Sequence, residues 1–126
     1  MLCALANSLA LFGLALGAIA APPATAEAAA ARGQKIFAAC AACHAADQPA
    51  RTGPDLRGIS GRPAATARGF RYSRALKNAK LTWSEPELDR YLADPQAAIP
   101  GNAMPFPGLP DAQQRRDVIA FLKTLQ

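Results

Sequence analysis

A chain of 126 residues has room for one domain. Its formal net charge of +5 arises from 14 Lys and Arg interspersed with nine Asp and Glu, which argues against a nucleic-acid binder with its continuous basic run. With three Cys and one His in all, a four-ligand structural zinc site would have to recruit Cys3 from far away, and no disulfide framework is expected.

No charge precedes Glu27, and Leu9 to Ala21 is almost wholly apolar, followed by Pro22-Pro23 and Ala24-Thr25-Ala26. An apolar stretch, a break and then A-x-A read as a secretory signal over residues 1–26, cleaved after Ala26, with the mature domain over 27–126. No Lys or Arg precedes the apolar stretch. Either the true start lies further upstream, or Leu2 to Ala21, about long enough to span a bilayer, is retained as an anchor. The expected location is the periplasm, with membrane contact only if the leader is kept.

From Ala28 to Ala42 an Ala-rich run without proline predicts a helix. Gly33 and Phe37, four apart, share one face, and a Gly inside a helix implies close contact with a crossing helix. Closing that helix is Cys40-Ala41-Ala42-Cys43-His44, the C-x-x-C-H signal of c-type haem attachment, in which both sulfurs become thioethers and the His ligates iron. One His in the whole chain excludes bis-His ligation within it. Of the two methionines Met1 lies in the leader, so Met104 is the candidate sixth ligand, with Lys ligation or an open site as rivals.

Residues 47–61 carry Pro49, Gly53, Pro54, Gly58 and Gly61 and predict ordered loop rather than a long helix. Within it the Pro54 carbonyl can accept the ring N–H of a ligating His and fix its tautomer. Arg57, Arg62, Arg68, Arg71, Arg74, Lys77 and Lys80 then crowd one region and read mostly as solvated charges. Ser84-Glu85-Pro86-Glu87 predicts a capping box opening a second helix with Leu88, Tyr91 and Leu92 on one face, ended by Asp94-Pro95. Four prolines and two glycines between Pro100 and Pro110 stiffen the loop around Met104. Asp111 and Gln114 cap a last helix whose face is Val118, Phe121, Leu122 and Leu125, the expected partner of Gly33 and Phe37. Only eight aromatic residues are available, so a buried porphyrin would complete a modest core, and the apoprotein is expected to be largely unfolded.

In order along the chain, Gly33-x-x-x-Phe37-x-x-Cys40-x-x-Cys43-His44, Thr52-Gly53-Pro54, Gly61-Arg62, Phe70-Arg71-Tyr72, Thr82-Trp83, Tyr91-Leu92, Pro100-Gly101-Asn102-Ala103-Met104 and Phe121-Leu122 resemble a short monohaem class I cytochrome c. The resemblance implies an all-α cytochrome c fold, with three main helices wrapped around one covalent haem and the first helix crossing the last. It also implies that Pro54 bonds His44, that Arg62, Tyr72 and Trp83 surround a propionate, and that Tyr91 and Asn102 support the Met104 sulfur. The implied function is one-electron transfer, as a monomer, between a respiratory complex or dehydrogenase and a terminal acceptor, with no bond made or broken in a substrate. A haem subunit fixed to one dehydrogenase and a ligand-binding or peroxidatic haem protein are the alternatives.

The chain departs from the family pattern in a short loop between His44 and Thr52, and in Leu76 where an Asn often neighbours the buried propionate. Where family members commonly place steering lysines, this sequence has Ala39, Ala97, Ala98 and Ala103. The expected haem-edge face is therefore mostly apolar, with weak long-range attraction. A tethered or dedicated partner would replace steering by effective concentration.

Overall fold

The computed structural model describes residues 25–44 and 52–126. Residues 1–24 of the expected secretory signal, and residues 45–51, where part of the expected ordered loop falls, lie outside the described residues. Helix α1 runs Ala26–His44, α2 Arg74–Asn78, α3 Glu85–Ala93, α4 Pro95–Ala98 and α5 Ala112–Leu122. Among the described residues there is no strand, only a single antiparallel bridge between Pro63 and Thr82. None of these helices is long and apolar enough to cross a membrane.

Helix α1 starts two residues earlier than its sequence suggests and ends, as expected, with the Cys40 to His44 window. Thr25 Oγ1 accepts from Ala28 N–H at 3.2 Å, satisfying one orphan donor of the first turn. At the other end the helix carries through Cys43 to His44, so both thiols and the imidazole stand on a rigid element.

The frame of the molecule is the crossing of α1 and α5. Gly33 is buried at the crossing, and a Cβ added there would lie 1.9 Å from the Asp117 carbonyl oxygen. One turn on, the Phe37 and Phe121 rings stack at 5.0 Å, tilted by 52°. Asp117 seals the contact: its carboxylate accepts from Arg32 Nε and Nη2, both at 2.8 Å, and from Gln113 Nε2 at 2.9 Å. The expected pairing of the Gly33 and Phe37 face with the last helix is what the fold contains. Leu125 departs from the expected helical register, since α5 ends at Leu122 and Lys123 caps it. Leu125 instead reaches the core from a turn whose carbonyl accepts from Gly58 N–H at 2.9 Å.

Ser84 caps α3 through Oγ and Glu87 N–H, but the capping box is only half formed. The Glu87 carboxylate pairs with Arg90 at 2.6 Å instead of turning back to Ser84. Asp94 ends α3 as expected and then starts α4, its Oδ1 accepting from Gln96 and Ala97 N–H while Pro95 takes the first helical position. Helices α2 and α4, of five and four residues, are too short to leave a hydrophobic period in the sequence.

Candidate functional site

Between α1, α3 and the loops after Thr52, Phe70 and Gly101 lies a cleft of about 380 Å³. Cys40, Cys43, His44, Pro54, Tyr72, Trp83, Tyr91, Asn102 and Met104, drawn from opposite ends of the sequence, all line it. Burial and the neighbouring Cys43 push the Cys40 thiol up from its ordinary pKa.

The imidazole is held from two sides. His44 Nδ1–H donates to the Pro54 carbonyl at 2.8 Å, which leaves the Nε2 lone pair free for a metal. Gly53 packs against the ring so tightly that an added Cβ would sit 2.6 Å from His44 Cε1, and Gly53 N–H is tied to the Cys43 carbonyl at 3.0 Å. The Thr52-Gly53-Pro54 segment is thus a clamp on one ring. Sequence reasoning isolated Pro54 and missed Gly53, although a Gly directly before a ring-binding Pro was the available signal.

Across the cleft the sulfur is held by a buried polar network. Asn102 is 7% exposed, and its Nδ2 donates to the Pro95 and Ile99 carbonyls at 2.7 and 2.9 Å. Its Oδ1 accepts from Met104 N–H at 3.0 Å and from Tyr91 O–H at 3.1 Å. Met104 Sδ lies 3.6 Å from the same phenol. Burial pushes Tyr91 up to about 12, so the phenol keeps its proton at neutral pH and acts as a donor. Trp83 meets the Tyr91 ring edge-on at 5.1 Å.

Arg62 stands apart from the other expected site residues, for its side chain is not among the groups lining the cleft. Its Nη1 and Nη2 donate to the Arg57 and Asp55 carbonyls at 2.7 and 2.9 Å. Its Nε is the only buried side-chain nitrogen or oxygen among the described residues without a partner. A buried donor of this kind wants an acceptor, and an anionic group entering from the cleft would supply one. Tyr72 lines the cleft, and its hydroxyl oxygen accepts from Ala67 N–H at 3.1 Å. Two thiols, an imidazole with a free nitrogen, a facing thioether, apolar walls and a guanidinium with one buried, unpartnered Nε together fit a porphyrin iron with carboxylate substituents.

The profile of the cytochrome c family matches residues 30–126. Cytochrome c2 of Rhodoblastus acidophilus is 46% identical over 92 residues, covering 71% of this chain and 86% of that protein. Cytochrome c of Chlamydomonas reinhardtii is 48% identical over 96 residues, 74% of this chain and 86% of its own. The c-type cytochrome cy of Rhodobacter capsulatus is 47% identical over 92 residues, although the chain spans only 46% of that longer protein. Among solved structures, cytochrome cH from Methylobacterium extorquens superimposes with a TM-score of 0.72 at 45% identity, over 75% of this chain and 97% of its own. Fold, cleft and relatives agree that the chain belongs to the cytochrome c family, as a class I monohaem member whose cofactor is a covalently bound c-type haem.

Proposed function

We propose that this cytochrome is an exported one-electron carrier with His/Met axial ligation, working in the periplasm between a respiratory complex or dehydrogenase and a terminal acceptor. Cys40 and Cys43 would hold the haem through thioethers, His44 Nε2 and Met104 Sδ would be the axial donors, and Arg62, Tyr72 and Trp83 would surround a propionate. When bound, the haem supplies an iron centre that takes up and gives up one electron. The thioether is a soft ligand that favours the ferrous state and raises the potential.

The chain's own residues contribute rigidity and dryness. The Pro54 carbonyl keeps the proton on Nδ1, so the His44 nitrogen facing the cleft stays a lone-pair donor. Asn102 fixes the backbone on which Met104 is mounted, and Leu56, Ile59, Leu88 and Leu92 give the cleft apolar walls. A site that need not rearrange between oxidation states suits electron transfer.

The observation that carries this reading is the pairing, across one cleft, of an imidazole locked by Pro54 with a thioether whose backbone is fixed by Asn102. Its test is the weak far-red absorption of a Met sulfur on ferric iron. The wild type should show the band and Met104→Ala should lose it; absence in the wild type, or persistence in the variant, refutes the ligand assignment. Export is part of the same proposal, with residues 1–26 as the leader, and mass spectrometry of the native protein would report both the N-terminus and the covalent haem.

The uncharged rim at Ala39 and Ala103, both exposed, favours one second reading, a haem subunit held by a single dehydrogenase. Native isolation separates the two, since a fixed subunit co-elutes with its enzyme at constant stoichiometry and a carrier does not.

A further inference from the structure

The loop that carries Met104 is pinned on both sides of the sulfur, by different means. Upstream, Asn102 bonds the Pro95 and Ile99 carbonyls. Downstream, Pro105, Pro107 and Pro110 have no N–H to offer, and Phe106 N–H is used inside the loop on the Met104 carbonyl at 2.9 Å. Two features press this half against the end of α3. Leu109 N–H donates to the Leu92 carbonyl at 2.7 Å, and a Cβ added at Gly108 would lie 2.2 Å from the Ala93 carbonyl oxygen.

The other bonds to this half come from a single side chain. Arg115, in the first turn of α5, donates through Nη1 to the Leu109 and Pro110 carbonyls at 2.8 and 2.9 Å, and through Nε to Asp89 of α3 at 2.8 Å. One guanidinium therefore joins α5, α3 and the far end of the loop. Its shielding sets it apart: the Arg115 side chain is 13% exposed, whereas the four other cations paired to carboxylates among the described residues are 43% to 54% exposed. Bonds from a charged donor are stronger than neutral ones, and covered ones compete less with water.

Arg115 does not line the cleft, so it reaches the site only through the chain between it and Met104. That chain is stiff, since three of the six residues 105–110 are proline. A restraint at Leu109 and Pro110 is thus passed back to the sulfur, and releasing those carbonyls would leave the downstream half held by Leu109 N–H alone.

We infer that Arg115 is a positioning residue for the sixth ligand: by holding the Leu109 and Pro110 carbonyls against α3 and α5, it keeps the Met104 thioether in the cleft and slows its replacement by an incoming donor. The inference rests on the His/Met reading.

The test uses the haem-loaded ferric protein, mixed with imidazole by stopped flow while loss of the far-red band is followed. The limiting rate at saturating imidazole reads the release of Met104, whatever the affinity for imidazole. Arg115→Met keeps the apolar stem and removes every donor, and its limiting rate should exceed that of the wild type about tenfold or more, as loss of charged hydrogen bonds implies. Asp117→Asn, weakened at the α1 and α5 crossing instead of the loop, is the control and should exchange like the wild type despite a lower melting temperature. Equal acceleration in both variants would reduce the effect to general stability and overturn the inference, as would a wild-type rate in Arg115→Met. Should Arg115→Met fail to fold, Arg115→Gln takes its place, because its amide ends where the Arg Nε stands, short of both carbonyls; the same acceleration is expected, and a wild-type rate overturns the inference. A wild type without the far-red band would fell the His/Met reading and this inference with it, whereas a band present in every variant with one shared rate overturns the inference alone.

Discussion

A single backbone atom decides the state of the imidazole. Because the Pro54 carbonyl can only accept, the His44 tautomer is fixed by covalent chemistry, and Gly53 is the residue that lets the backbone approach the ring closely enough. Gly53→Ala would place a methyl 2.6 Å from Cε1, and the ring, held by Pro54, and the segment, tied to Cys43, can yield only by straining those bonds. The expected outcome is a tilted imidazole with a weaker bond to iron, at an overpacking cost of about 2 kcal/mol; the check is a perturbed ferric spectrum together with a lower melting temperature. Tyr91→Phe removes one donor and no volume, while Asn102 Oδ1 keeps Met104 N–H. Its expected cost is only about 1 kcal/mol, with the far-red band retained but shifted, readable by absorption and thermal melting. At this scale the sequence was informative where scarcity left few choices, as with one His and one methionine beyond residue 26. It was silent on Gly53, whose importance depends on a distance, and on the inward turn of Arg62, which depends on the carbonyls of Asp55 and Arg57.

Helices α1 and α5 cross where a missing side chain and a buried charge meet. Replacing Gly33 by Ala should gain about 1 kcal/mol in helix propensity, but the new methyl would lie 1.9 Å from a helical carbonyl that is itself held in place. Overpacking of about 3 kcal/mol wins, and the expected net loss of about 2 kcal/mol would lower the melting temperature by roughly 10 °C. The Arg32 guanidinium beside Asp117 holds that carboxyl below its usual range. A carboxyl depressed by folding binds fewer protons folded than unfolded. Its contribution is therefore present above the unfolded value near pH 4 and is lost as pH falls through the folded value. Asp117→Asn should accordingly be less stable than wild type near neutral pH by about 1–2 kcal/mol, and the gap should close as the medium is acidified through the folded value. Thermal melts of both proteins across that range read the difference, in which haem-linked titrations common to both cancel. The crossing itself was legible, because Gly33, Phe37, Val118 and Phe121 keep helical spacing. Asp117 was not, since a charged residue inside an apolar period reads as surface until its partner 85 residues away is seen.

Across the whole molecule, the walls of the cleft and the hydrophobic core are largely the same residues. Of the nine buried apolar side chains among the described residues, Ile59, Trp83, Leu88, Tyr91, Leu92 and Leu122 also line the cleft, leaving Ile99, Val118 and Ile119 as core independent of it. Burying a side chain of this kind is worth about 1.5–3 kcal/mol. Wetting one face of six of them at about half that value would remove roughly 5–9 kcal/mol, comparable with the entire stability of a small domain. A chain denied its haem, for instance the Cys40→Ala/Cys43→Ala protein, should therefore keep at most part of its helix content and lose the fixed environment of Trp83, its only tryptophan. Far-UV circular dichroism should fall, the near-UV tryptophan signal should vanish, and heating should give a broad change in place of a cooperative transition. A native-like near-UV spectrum with a sharp melt would mean that the α1 and α5 crossing, with its Arg32 to Asp117 lock, holds the fold without the cofactor.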